Sequence, residues 1–219
     1  MEKNIEIKFP HLIVCEGLDT MKYIMYFLQH LIAVNKQFDK FQAIDAGGNE
    51  DFAEFFKLLP RLPNFSIVKS ITIAGDSEKN SKSASQSVQS FLQNGSFPVP
   101  EAPGKVAHSI EGEHNVRVGY FLFPKNDPGD ISGRLEDLCL NTLTSPDKDK
   151  ILAIADCAIE SIKNQTGKLK RLHKNRFHTY LSLTDDFVGM KLGEAAKANA
   201  FNFNANETKA LEELLSAML

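Results

Sequence analysis

An apolar run that halts at a carboxylate and a glycine constrains this chain more than any other stretch: Leu12-Ile13-Val14-Cys15, then Glu16-Gly17-Leu18-Asp19-Thr20. A run of this length bounded by a turn signal suits a strand buried on both faces of a sheet. The amphipathic segment from Met21 to Val34 reads as a helix, with Asp19 or Thr20 placed to accept from its free N–H groups. Glu16 then sits at the carboxyl end of a strand, in the strand-to-helix turn where open α/β sheets bind ligands.

The same unit recurs twice. Phe41 to Ala46 reads as a second strand ending in Gly47-Gly48-Asn49, followed by a helix from Glu50 to Leu59 that Pro60 stops. The two glycines permit close backbone approach to a ligand, or simply a tight turn. Ile67 to Ala74 is β-branched and strand-like and runs into Gly75-Asp76-Ser77-Glu78-Lys79-Asn80. A serine-rich helix to Phe91 and Leu92 follows, with Asn94-Gly95 as its stop. Three strand-then-helix units predict an α/β fold, a mostly parallel, Rossmann-like sheet flanked by helices through right-handed crossovers.

Beyond the proline-rich connection of residues 97–104, Val106 to Ile110 and Val116 to Phe123 predict a hairpin around residues 111–115. Its second arm completes the sheet. The turn-rich residues 124–129 lead into a helix carrying Glu136 and Asp137. These two are adjacent, so only one can face a site at the sheet edge, and the helix dipole alone favours acids there. From Asp147 the pattern is helical, with Ile151, Ile154, Ala155, Ala158 and Ile162 as an apolar face and a terminal helix from Asn206 to Leu219. The expected organisation is an α/β core over residues 1–145 and a helical extension, 146–219, packed on it.

The net charge is -3, so nucleic-acid binding would have to come from a local patch. Residues 163–178 are such a patch: Lys163, Lys168, Lys170, Arg171, Lys174 and Arg176 occur there with no acid. It is either a solvated helix face or a phosphate-tracking surface. Three scattered cysteines, an N-terminus unlike a signal peptide and the absence of a long apolar stretch lead to the expectation of a cytoplasmic protein away from membranes. No P-loop, G-x-G-x-x-G or G-x-S-x-G occurs, which leaves dinucleotide hydride transfer and acyl transfer without support.

What remains is acid at strand ends: Glu16, Asp45, then Asp76 and Glu78. Clustered carboxylates repel and raise each other's pKa unless a cation neutralises them. The ordered set of Glu16-Gly17-x-Asp19, a glycine-bearing second strand end, Asp76 at the third, and Gly133-x-Leu135-Glu136-Asp137 resembles a Toprim domain. That module is shared by topoisomerases, bacterial primases and the overcoming-lysogenization-defect nucleases; the chain is most similar to a small Toprim-like family of bacteria and archaea. Stretches Val118-Gly119 to Pro124 and Lys174 to Leu181 belong to the likeness.

The resemblance implies Mg²⁺- or Mn²⁺-dependent chemistry on the phosphodiesters of DNA or RNA. It makes Glu16 a general acid/base or metal ligand, Asp76 a metal ligand, and Glu136 and Lys174 the completing carboxylate and lysine. It also implies a companion ATPase or a defence protein as a partner. The Asp-x-Asp of the family is broken here, because Ala74 stands at the first position. Glu78 is the expected substitute ligand, and an Ala74→Asp change is expected to restore activity if the site is crippled. Gly48, Lys79, Lys170, Arg171 and Arg176 are the expected phosphate or nucleic-acid contacts. Three functions follow: a metal-dependent nuclease, a degenerate Toprim-like module that binds nucleic acid, nucleotide or a partner protein, and a phosphatase or nucleotide-cleaving enzyme on the same edge.

Overall fold

A computed structural model describes residues 5–78, 80–108, 114–124 and 132–219. Its strands are β1 (His11–Cys15), β2 (Phe41–Asp45), β3 (Ser70–Asp76), β4 (Val106–His108) and β5 (Arg117–Phe123). They form one sheet in the order β2-β1-β3-β5-β4. All neighbours are parallel except β4, which runs antiparallel to β5 at the edge. Helices α1 (Leu18–Val34), α2 (Asn49–Leu58) and α3 (Ser81–Asn94) follow β1, β2 and β3. After β5 come α4 (Leu135–Asn141), α5 (Lys148–Thr166), α6 (Leu172–Ser182), α7 (Leu192–Lys197) and α8 (Asn206–Met218).

Alternation along the strands divides the core in two. Ile13, Cys15, Ala74, Phe121 and Phe123 pack on one face against Tyr23 and Phe27 of α1, Leu138 of α4, Phe177 of α6 and Leu214 of α8. Leu12, Val14, Ile71, Ile73 and Leu122 pack on the other against Phe52 and Phe56 of α2 and Val88 and Leu92 of α3. Both faces are covered, which is why these strands read as unbroken apolar runs. The C-terminal helices share the first of these cores, so residues 146–219 complete the sandwich rather than decorate it.

Several local expectations shift. α1 begins after Gly17, at φ 88, with no side-chain cap; the Thr20 hydroxyl instead donates to the Glu16 carbonyl at 3.1 Å. β3 starts at Ser70 because Phe65–Ile67 forms a 3-10 turn. On α5 the expected apolar face is rotated: Ala155 and Ile159 are buried, whereas Ile154 and Ile162 are 59% and 50% exposed. One narrow stripe of this helix meets the body, too narrow to cover the face read from spacing. Residues 109–113, where part of the expected hairpin falls, and residues 125–131, where most of the expected turn-rich stretch falls, lie outside the described residues. Among the described residues, no helix is long and apolar enough to cross a membrane.

The strand order places the site. From β1 the chain moves outward to β2, then returns past β1 to β3 and on to β5. The order reverses between β1 and β3, and ligands of open α/β sheets bind in the crevice outside that reversal.

Candidate functional site

Cys15 and Ala74 are register partners, so the residues after them leave the sheet side by side. The Glu16 carboxylate, through Oε2, accepts the Asp76 backbone N–H at 3.2 Å. Asp76 in turn accepts the Leu135 N–H through Oδ1 at 2.9 Å, and so caps α4 from across the fold. One residue on, Glu136 is buried, at 7% exposure, and turned toward the same place. Asp137 is occupied elsewhere: it accepts the Arg134 N–H at 2.8 Å and lies 2.8 Å from His173 Nδ1. Of the adjacent acids, one faces the site and the other holds the helix end.

Glu16, Asp76 and Glu136 line one cavity of about 530 Å³ with Lys22, Lys174 and Lys191. Lys174 Nζ stands 3.7 Å from Glu136 Oε1. Lys22 and Lys191 escape a reading of the sequence, since each is an isolated lysine on a different segment. The one signal is Gly193: a Cβ there would sit 2.6 Å from the Lys22 side chain. Its absence lets α7 lie on α1 and brings both cations to the rim.

The electrostatics are those of crowded acids. Burial raises the pKa of Glu16 and Glu78 adds to it, while the Asp76 N–H, Arg134 and Lys174 act in the opposite direction. Asp76 is pushed up to about 8, first by burial and then by the Glu16 charge; the Leu135 N–H opposes this and Glu136 reinforces it. Gly75 is a second residue that the sequence does not single out. A Cβ on it would lie 3.2 Å from Glu16 Oε2, so its bareness is what seats that carboxylate.

The other expected residues divide. Ala74 is wholly buried, so an acid there would enter the core rather than the cavity. Glu78, at φ 56, pairs with Arg134 at 2.6 Å on the opposite flank of the carboxylate pair. Arg176, one of the expected phosphate contacts, has its guanidinium held in a fork by Asp156, at 2.6 and 2.8 Å, tying α6 to α5. Gly48 has φ -76 and open space around it, so its backbone does not require a glycine. Lys170 and Arg171 are exposed at the α5–α6 junction, and Lys79 lies outside the described residues.

Among the described residues, no three His, Cys, Asp or Glu side chains stand as a ready-made metal cluster. The donor chemistry nonetheless fits a hard divalent cation. The acids offer only oxygen, such an ion keeps several waters and needs few protein ligands, and the burial and like charge that lift Asp76 are what it would relieve. Glu16, Asp76 and Glu136 are the residues that would hold it.

No curated protein and no solved structure matches this sequence. A family described as "Protein of unknown function (DUF3226)" matches residues 10–219, a span that includes every residue of the cavity. The chain belongs to the DUF3226 family.

Proposed function

We propose that this chain is a Toprim-like, Mg²⁺- or Mn²⁺-dependent enzyme that cleaves phosphodiesters of DNA or RNA. One observation carries the reading: four carboxylates from three segments (Glu16 and Asp19, Asp76, Glu136) and three lysines line a single cavity at the reversal of strand order. Acids without cations would suit a bare metal site, and lysines without acids a bare anion site. Both together suit a phosphate beside a divalent ion.

A divalent cation held by Glu16, Asp76 and Glu136 would supply Lewis acidity at the phosphoryl oxygens and lower the pKa of water. The chain's own residues do the rest. Glu16, its pKa raised by burial, is the residue placed to exchange a proton. Asp76 and Glu136 present their carboxyl oxygens at the centre, and Asp76 fixes α4 while doing so. Lys174 faces developing charge on the phosphoryl group, and Lys22 and Lys191 draw non-bridging oxygens to the rim. The exposed Lys170 and Arg171 extend the path of a nucleic-acid backbone.

Two observations favour a second reading, a non-catalytic module that binds nucleic acid or nucleotide: Ala74 cannot supply a ligand, and both Glu16 and Asp76 already accept backbone N–H groups. Incubating labelled single-stranded and duplex DNA and RNA with Mn²⁺ separates the two. Cleavage by the wild type, lost in Glu16→Gln, supports the enzyme. Binding of any of these substrates without cleavage supports the module.

A further inference from the structure

Glu16 and Asp76 line two spaces. The first is the lysine-rimmed cavity already described; the second lies on the other side of the pair, between α3 and the sheet, with a volume of about 320 Å³. Its walls are apolar: Phe52 of α2, Ile73 of β3, Leu122 of β5, and Val88 and Phe91 of α3. Phe52 and Phe91 make a continuous aromatic wall, their rings 6.0 Å apart and 29° from parallel. Along one edge run Asn80, Ser83 and Ser87, and at the mouth stand Glu16, Asp76 and Glu78. No lysine or arginine lines this second space among the described residues. A phosphate is therefore disfavoured within it, as its lining among the described residues includes three carboxylates, one of them paired with Arg134, and no cation.

We propose that this cleft seats an unpaired nucleobase whose phosphate lies in the lysine-rimmed cavity, so that the substrate is a nucleotide or a single strand rather than an intact duplex. The inference rests on the reading of the carboxylate rim as a phosphate site. Three features select a base over another apolar group. A base is flat and stacks favourably on an aromatic face. Its edge carries donors and acceptors, which match the hydroxyls and carboxamide on one side of an otherwise apolar space. Exocyclic amino groups are donors, and the mouth offers carboxylate acceptors. The two spaces also adjoin, as base and phosphate sites must, because Glu16 and Asp76 bound both. A base stacked inside a duplex cannot reach such a cleft without leaving its neighbours.

The test is a binding measurement that needs no turnover. Adenosine 5′-monophosphate and ribose 5-phosphate are titrated into the full chain by calorimetry in Mn²⁺ buffer, with Ser87→Phe as the variant that fills the cleft. The expected result is adenosine 5′-monophosphate binding about tenfold or more tighter than ribose 5-phosphate in the wild type. In Ser87→Phe that advantage disappears while ribose 5-phosphate binds as before. Should Ser87→Phe melt early, Ala84→Leu, smaller and on the same wall, takes its place. Equal affinity of the two ligands for the wild type overturns the base pocket and leaves the phosphate site standing. Binding of neither ligand overturns both.

Discussion

Glu16 reaches across from the end of one strand to accept the backbone N–H of Asp76 at the end of its neighbour, at 3.2 Å. That bond keeps two acids beside each other where repulsion would part them, and it ties the site to the register of β1 and β3. The cost appears as an Asp76 whose pKa is driven up to about 8 by burial and by Glu16.

The shift sets a pH dependence. Asp76 has a folded pKa above its ordinary value of 3.8, so the native state binds the extra proton and loses stability as pH rises between about 4 and about 8. Metal-free protein is expected to melt at progressively lower temperature from pH 5 to pH 8. Asp76→Asn, which retains an oxygen for the Leu135 N–H, flattens that slope. A slope unchanged in the variant refutes the assignment.

A divalent cation bound as proposed is expected to act on the same groups with opposite sign. Mn²⁺ at a hundred times its dissociation constant stabilises the native state by about 2.7 kcal/mol. The rise in melting temperature is expected to be larger at pH 8 than at pH 5, because protons compete for the carboxylates. Glu16→Gln abolishes it. Differential scanning fluorimetry with and without Mn²⁺ reads the effect directly.

Gly75→Ala tests the seat of the carboxylate. The added methyl would stand 3.2 Å from Glu16 Oε2 and displace it. Stability is expected to change by about 1 kcal/mol or less, while Mn²⁺ affinity falls several-fold. Calorimetric titration beside a thermal melt separates the two effects.

Ala74→Asp is expected to harm the protein rather than complete the Asp-x-Asp pattern. The side chain is wholly buried in the core, and an unpaired buried carboxylate costs several kcal/mol, roughly 3 or more. A lower melting temperature and no gain in cleavage are the expected outcome. Higher cleavage at unchanged stability would place this position in the site after all.

The basic segment divides by partner. Charge reversal at Lys170, Arg171 and Lys174 is expected to lower the dependence of nucleic-acid affinity on salt, by about one unit of slope for each phosphate no longer neutralised. Arg176→Ala, which breaks the fork to Asp156, leaves that slope unchanged and costs at most about 1 kcal/mol, as exposed ion pairs do. Filter binding across a salt series distinguishes them.

Apolar run length, β-branching and turn residues carried most of the sheet, because those signals are local: Leu12 to Cys15 and Val118 to Phe123 are strands in the fold as in the pattern. The α5 face was misplaced by that same kind of reading. Spacing says which residues can share a face, whereas burial depends on what comes to meet it, and only the stripe through Ala155 and Ile159 is met.

The site divides along the same line. Chain order alone marked Glu16 and Asp76 as acids at strand ends, and the adjacency of Glu136 and Asp137 implied that one of them must turn away. Which one turns, the alliance of Glu78 with Arg134, the diversion of Arg176 to Asp156, and the arrival of Lys22 and Lys191 at one rim are decided by packing between segments far apart in sequence. The physical reason is range. Strand formation and charge type are set by a residue and its near neighbours, but a cavity exists only where helices and sheet fail to fill space. That is a property of the whole assembled chain.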